Sequence, residues 1–174
     1  MISNKDKRKL LSIDSKLNFK ALVKFIENED INVKLCALTH SLGLAADTGI
    51  YFNVEMTLEH YNTDMVYFGI LHEIAHYKRI QRMGKAKVIE LLSVEDFEKF
   101  AGHVIGEEII ADRYASRLFY RLNQIKYPKY MTQQLENKEV QSMYKAKILP
   151  KLFGKIQNSE EKYDKLLSEF IVSD

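Results

Sequence analysis

The residues Leu71-His72-Glu73-Ile74-Ala75-His76-Tyr77 contain an H-E-x-x-H pentad. On a helix, residues four apart project from one face about 6 Å apart along the axis, so His72 and His76 can aim ring nitrogens at one cation. Glu73 sits one step round and flanks the position that the cation leaves open. Two ligands and a general base from a single turn are what metal-assisted hydrolysis requires. The bland alternative is a pair of ordinary helix histidines beside a surface carboxylate. Met65, Val66, Phe68, Gly69, Ile70, Leu71, Ile74 and Ala75 count against it, because they surround the triplet on nearly all sides of the helix. Part of the triplet must therefore be buried, and a buried carboxylate without a partner is costly.

A zinc site of this kind needs a third protein ligand and keeps its fourth position for water. Val104, Glu108, Ala111, Ala115, Leu118 and Leu122 fall on a single helical stripe, and Glu108 is its one charged member. An acidic side chain on an apolar stripe calls for a cation, and the two alanines let a second helix come close. Asp112, one turn after Glu108, can accept a hydrogen bond from the far nitrogen of a metal-bound histidine and so hold its tautomer. Glu107 and His103 compete for the third position, but they lie on another face with Ile110 and Tyr114 and need a rotated helix. His103, Tyr77 and Tyr114, with Tyr51 and Tyr61, are also candidates for polarising a substrate carbonyl.

These side chains need a scaffold of helices with some strand. Leu17, Ala21, Leu22, Phe25 and Ile26 predict a helix over 17–28. Alternation of apolar and polar residues predicts strands over Ile31–Ala37 and Ile50–Met56, joined by a long link that carries Gly43, Asp47 and Gly49. The pentad helix runs from about Asn62, or Thr63, to a stop at Gly84. A second long helix is expected over roughly Val94–Asn123. Beyond it, Pro128 and Pro150 divide two amphipathic helices near Gln133–Ile148 and Glu160–Ile171.

The 174 residues suit one domain, and 46% hydrophobic with 29% charged residues exclude a disordered or collagenous chain. A net charge of +2 gives no overall pull toward nucleic acid or anionic membrane, so a nucleic-acid partner is not expected. The single cysteine, Cys36, rules out an internal disulfide framework and a Cys-rich zinc site, and fits a reducing compartment. The basic start is followed by Ser12, Asp14, Ser15 and Lys16 where a signal peptide needs an apolar run, and no stretch suits a membrane span. The expected location is cytoplasmic, without a membrane partner.

His72-Glu73-Ile74-Ala75-His76, followed about 30 residues on by Glu108-Ile109-Ile110-Ala111-Asp112-Arg113-Tyr114-Ala115, resembles the zincin metallopeptidases, most closely the small ImmA/IrrE-like family. The resemblance spans roughly residues 30–122. It departs from the family pattern at Ile110, where a second glutamate is common, and at Tyr114, where phenylalanine is usual. It implies an α+β, helix-rich zincin-like domain with a small twisted sheet, a motif helix and a second ligand helix. Residues 1–125 would form that domain, with 126–174 as a helical C-terminal extension packed on it. It further implies Zn2+ held by His72, His76 and Glu108, Asp112 supporting a ligand, Glu73 as catalytic base, and a peptide lying along an edge strand, for which Ile50–Met56 is the candidate. Family members often act on a helix-turn-helix regulator.

The expected activity is thus zinc-dependent hydrolysis of a peptide bond in an intracellular protein such as a repressor. The rival is a zinc-stabilised module that regulates a protein or nucleic-acid partner without catalysis. Its support is a local excess of +6 over residues 121–155, where Arg121, Lys126, Lys129, Lys138, Lys145, Lys147, Lys151 and Lys155 outnumber Glu136 and Glu139, with Tyr127, Tyr130 and Tyr144 interspersed. Such a run is most often a solvated helical face. Glu73 favours the enzyme, because a structural zinc site has no use for a general base.

Overall fold

The computed structural model describes residues 1–39, 41–126 and 134–157. Helices α1 (Asn4–Leu11) and α2 (Phe19–Asn28) lead into strands β1 (Val33–Leu35), β2 (Gly43–Ala46) and β3 (Gly49–Phe52). Then come α3 (Val54–His60), α4 (Thr63–Met83), α5 (Lys85–Leu92) and α6 (Phe97–Asn123), followed by a 3-10 turn (Gln134–Glu136), α7 (Lys138–Lys147) and α8 (Leu149–Gln157). The result is helix-rich α+β, with one small mixed sheet in the order β1-β3-β2. Strand β1 runs parallel to β3, and β2 runs antiparallel to it.

Local chemistry explains where the elements begin. Ser3 and Asp6 form a reciprocal cap at the start of α1: the Asp6 N–H donates to Ser3 Oγ at 3.0 Å and the Ser3 hydroxyl donates to Asp6 Oδ2 at 2.8 Å. Asn62 caps α4 through the Met65 N–H at 3.0 Å, and Gly84, with φ 80°, ends it. Asp96 caps α6 through the Lys99 N–H at 2.9 Å.

The structure corrects the expected strand Ile50–Met56. The Asn53 side chain accepts from the Met56 N–H at 3.0 Å and starts α3, so Val54 and Met56 are helical and the strand stops at Phe52. The residues read as a long link instead hold β2, which meets β3 through the two-residue turn Asp47-Thr48, with Ala46 opposite Gly49. Gly49 has φ 148°, and a Cβ there would stand 2.5 Å from the Asn32 carbonyl oxygen, so a glycine is needed. β3 is therefore the central strand, and the sheet edge beside the pentad helix is β2. Two further differences concern helices: α1, α5 and α8 lie where no helix was expected, and the expected helix over Gln133–Ile148 is, from Gln134 on, a 3-10 turn followed by α7. The expected helix Glu160–Ile171 lies outside the described residues.

Helices α4 and α6 run antiparallel, since Tyr67 meets Phe119, His72 meets Asp112 and Arg79 meets Glu107. Their shared face belongs to the main core, in which Leu22, Ile26, Ile50, Phe52, Ile70, Leu71, Ile74 and Phe119 are buried. Tyr67 sits between Phe19 and Phe119, with ring centroids at 5.0 and 5.5 Å, and its hydroxyl donates to the Asn18 carbonyl at 3.1 Å. A second apolar cluster gathers Phe100, Ala101, Leu149 and Ile156, so the first turns of α6 pack against α8. No helix among the described residues is long and apolar enough to cross a membrane.

Gly69 lets α4 lie on the sheet: a Cβ there would stand 2.6 Å from the Phe52 ring. Gly69→Ala should therefore destabilise the protein by about 1–3 kcal/mol through overpacking. At Gly102 an added Cβ meets nothing within 4 Å, so Gly102→Ala in mid-helix should stabilise by about 0.5–1 kcal/mol. Urea unfolding of the two variants checks both signs.

Candidate metal centre

Antiparallel α4 and α6 bring His72, His76 and Glu108 to one point. His72 Nε2 lies 3.0 Å from His76 Nε2 and 3.2 Å from Glu108 Oε2, while His76 Nε2 lies 3.3 Å from Glu108 Oε1. The Nδ1–H of His72 donates to Asp112 Oδ1 at 2.8 Å, which places the His72 Nε2 lone pair toward the cluster. An imidazole lone pair thus faces a carboxylate oxygen and a second imidazole nitrogen at contact distance. Acceptors so placed repel unless a proton or a cation lies among them.

The spacing fits a cation. Four ligands about 2.0–2.1 Å from a tetrahedral zinc stand roughly 3.3 Å apart, close to the three separations here. The three ligand atoms form one group that could hold a metal ion. The charge balance agrees in direction. Burial opposes a charge on His72, yet hydrogen bonds to Asp112 and Glu108 raise its pKa to about 10. Burial likewise works against the Glu108 carboxylate, but hydrogen bonds from the two histidines hold it well below the usual carboxylate range. The pocket is built for positive charge at its centre.

Glu73 stands beside this group. Burial raises its pKa, the two histidines oppose the rise, and the Glu108 charge adds to it. Its position depends on β2, since a Cβ at Gly43 would lie 2.6 Å from both Cγ and Oε1 of Glu73. A glycine on the edge strand makes room for the carboxylate.

A cavity of about 750 Å3 opens at the cluster, with His72, Glu73, His76 and Glu108 on one side and β2 along another. A smaller one of about 210 Å3 adjoins it and shares Leu42, Gly43, His72 and Glu73. Ser41 lines the larger cavity with a buried hydroxyl that has no hydrogen-bond partner among the described residues.

The rival ligands go elsewhere. Glu107 accepts from Arg79 Nε at 2.9 Å and from Nη2 at 2.5 Å, so its charge is matched within the protein. His103 is exposed on the cavity wall, apart from the three-residue group. Of the tyrosines weighed as carbonyl polarisers, Tyr77 and Tyr114 pack against the main core and line neither cavity, and Tyr51 and Tyr61 are not on the cavity walls. Among the described residues Tyr144, counted in the sequence with the basic run, is the tyrosine that lines the larger cavity. Burial, reinforced by the Glu108 charge, pushes its pKa up to about 12, so its hydroxyl stays protonated and able to donate. Its signal in the sequence was weak: α7 carries Tyr144 and, at its end, Ile148 four residues on, an i, i+4 pair on one face.

The basic run is partly committed too. Lys145 pairs with Glu98, Arg113 takes up Glu136 at 2.7 Å, and Arg121 lies over the Phe25 ring at 5.4 Å. Lys129, Tyr127 and Tyr130 lie outside the described residues.

A scan against protein-family models found no match, and searches of curated proteins and of solved structures found none either.

Zinc titration of single variants tests the phase of α6. Glu108→Ala should weaken zinc binding most, Asp112→Ala by about 10–100-fold, and Glu107→Ala hardly at all. If Glu107→Ala proves worse than Glu108→Ala, the Arg79–Glu107 pair and the placement of the site are both wrong.

Proposed function

We propose that this protein is a metal-dependent peptidase of the ImmA/IrrE-like kind, with His72, His76 and Glu108 holding a zinc ion and Glu73 serving as general base. The observation that carries the reading is the convergence of three acceptor atoms at tetrahedral spacing beside the half-buried Glu73 carboxylate, which is not one of them. A purely structural site would close with a fourth ligand and would not hold a raised-pKa carboxylate at its edge.

Zinc, when bound, supplies Lewis acidity that activates water near neutral pH and polarises a carbonyl. The protein's own groups do the rest. Glu73 takes a proton from the attacking water and passes it to the leaving amine, a role that suits a carboxylate whose pKa burial has raised. Asp112 keeps the His72 ring in one tautomer and orientation. Edge strand β2 offers backbone beside the site, so an extended peptide can be laid across it as an added strand. The Tyr144 hydroxyl, on the wall of the same cavity, is the donor proposed to steady negative charge developing on the carbonyl oxygen. A regulator or repressor of the cell is the proposed target, on the strength of the family resemblance.

Glu73→Gln separates hydrolysis from binding, because it keeps the shape of the side chain and leaves all three ligands in place. The variant should hold zinc as the parent does and lose about 10²–10⁴ in the rate of cleavage of a quenched fluorescent peptide library. Tyr144→Phe should lower kcat with little change in zinc affinity. Cleavage by Glu73→Gln at the parental rate would make the site structural.

A further inference from the structure

The larger cavity is more than the mouth of the metal centre. Beyond the cluster its walls are mostly apolar and draw on three separate helices: Ile80 and Met83 of α4, Val88 and Leu91 of α5, and Leu152 and Ile156 of α8. The two charged side chains on these walls away from the cluster, Arg79 and Glu107, satisfy each other. Ile148, on the same wall, is 51% exposed, a large apolar side chain left facing the open cavity. The second apolar cluster gives this wall its own support, since Leu149 and Ile156 are buried against Phe100 and Ala101 of α6. The C-terminal helices therefore bring to the cavity a separately anchored, largely apolar wall.

We propose that this cavity is the specificity subsite of the enzyme, that it takes a bulky apolar side chain next to the scissile bond, and that α5, α7 and α8 set that preference. The inference rests on the peptidase reading and adds the substrate class: a peptide with leucine- or phenylalanine-like residues at this position. A volume of about 750 Å3 holds such a side chain together with flanking backbone. A charged side chain there would lose water and find both wall charges already paired. The C-terminal helices, outside the stretch that carries the family resemblance, would thus give this chain its own substrate preference.

The test uses the full-length chain and short peptides that differ in one side chain, glycine, leucine, phenylalanine or aspartate. They are titrated as hydroxamates against zinc-loaded protein and as the matching amides against chelator-treated protein. Leucine and phenylalanine should bind at least about tenfold tighter than glycine in both forms, from the apolar area buried, with aspartate weakest. Ile148→Asp and Leu152→Asp should flatten this ranking while zinc affinity stays at the parental value. Ile148 is half exposed, so its replacement leaves the fold intact. Equal affinity for glycine and leucine, or an unchanged ranking in both variants, overturns the subsite and leaves the metal centre standing. Loss of zinc binding with the ranking retained would overturn the peptidase reading and support the cavity's preference.

Discussion

The architecture turns on a repulsion. Two imidazole nitrogens and a carboxylate meet within 3.0–3.3 Å of one another, with one imidazole already committed through its N–H to Asp112. Lone pairs do not crowd in this way without a proton or a cation among them. The arrangement is bearable because α4 and α6 are fastened on both sides of the cluster, by Tyr67 against Phe119 at one end and by Arg79 with Glu107 at the other. Ala111 and Ala115, both buried, let the two helices approach closely enough to bring the three groups together.

The small sheet serves the same point. Its central strand presses Phe52 against Gly69, which sets the height of α4 over the sheet, and its edge strand places Gly43 where Glu73 needs space. A glycine in each position removes a Cβ that would displace either the helix or the Glu73 side chain. The hydrolytic reading thus depends on two packing contacts as well as on the residues that would do the chemistry.

Much of the centre was legible in the sequence, because helical periodicity is a strict rule. Spacing alone put His72 and His76 on one face, and the lone charge on the stripe from Val104 to Leu122 singled out Glu108. Capping chemistry likewise marked the ends of α4, at Asn62 or Thr63, of which Asn62 is the cap, and at Gly84. What failed was non-local or depended on a short signal. The apolar alternation from Ile50 to Met56 continued past Phe52 although Asn53 starts a helix, because a cap residue and a strand residue look alike until the hydrogen bond is seen. With that strand misplaced, β2 was read as a link, and the edge beside the site was assigned to the wrong segment. Tyr144 could not be found by spacing from the pentad, because it reaches the cavity through the packing of α7 and α8 on α6, a long-range event with no local periodicity. Tyr77 and Tyr114 have the better sequence proximity and point into the core instead.

X-ray absorption at the zinc edge, on protein loaded with one equivalent of metal, tests the convergence of His72, His76 and Glu108 most directly. The site described here requires two imidazole nitrogens at about 2.0–2.1 Å and carboxylate or water oxygen at about 2.0–2.2 Å, in four-coordinate geometry with no sulfur. A shell of water oxygens alone, or one containing the Cys36 sulfur at about 2.3 Å, would contradict it.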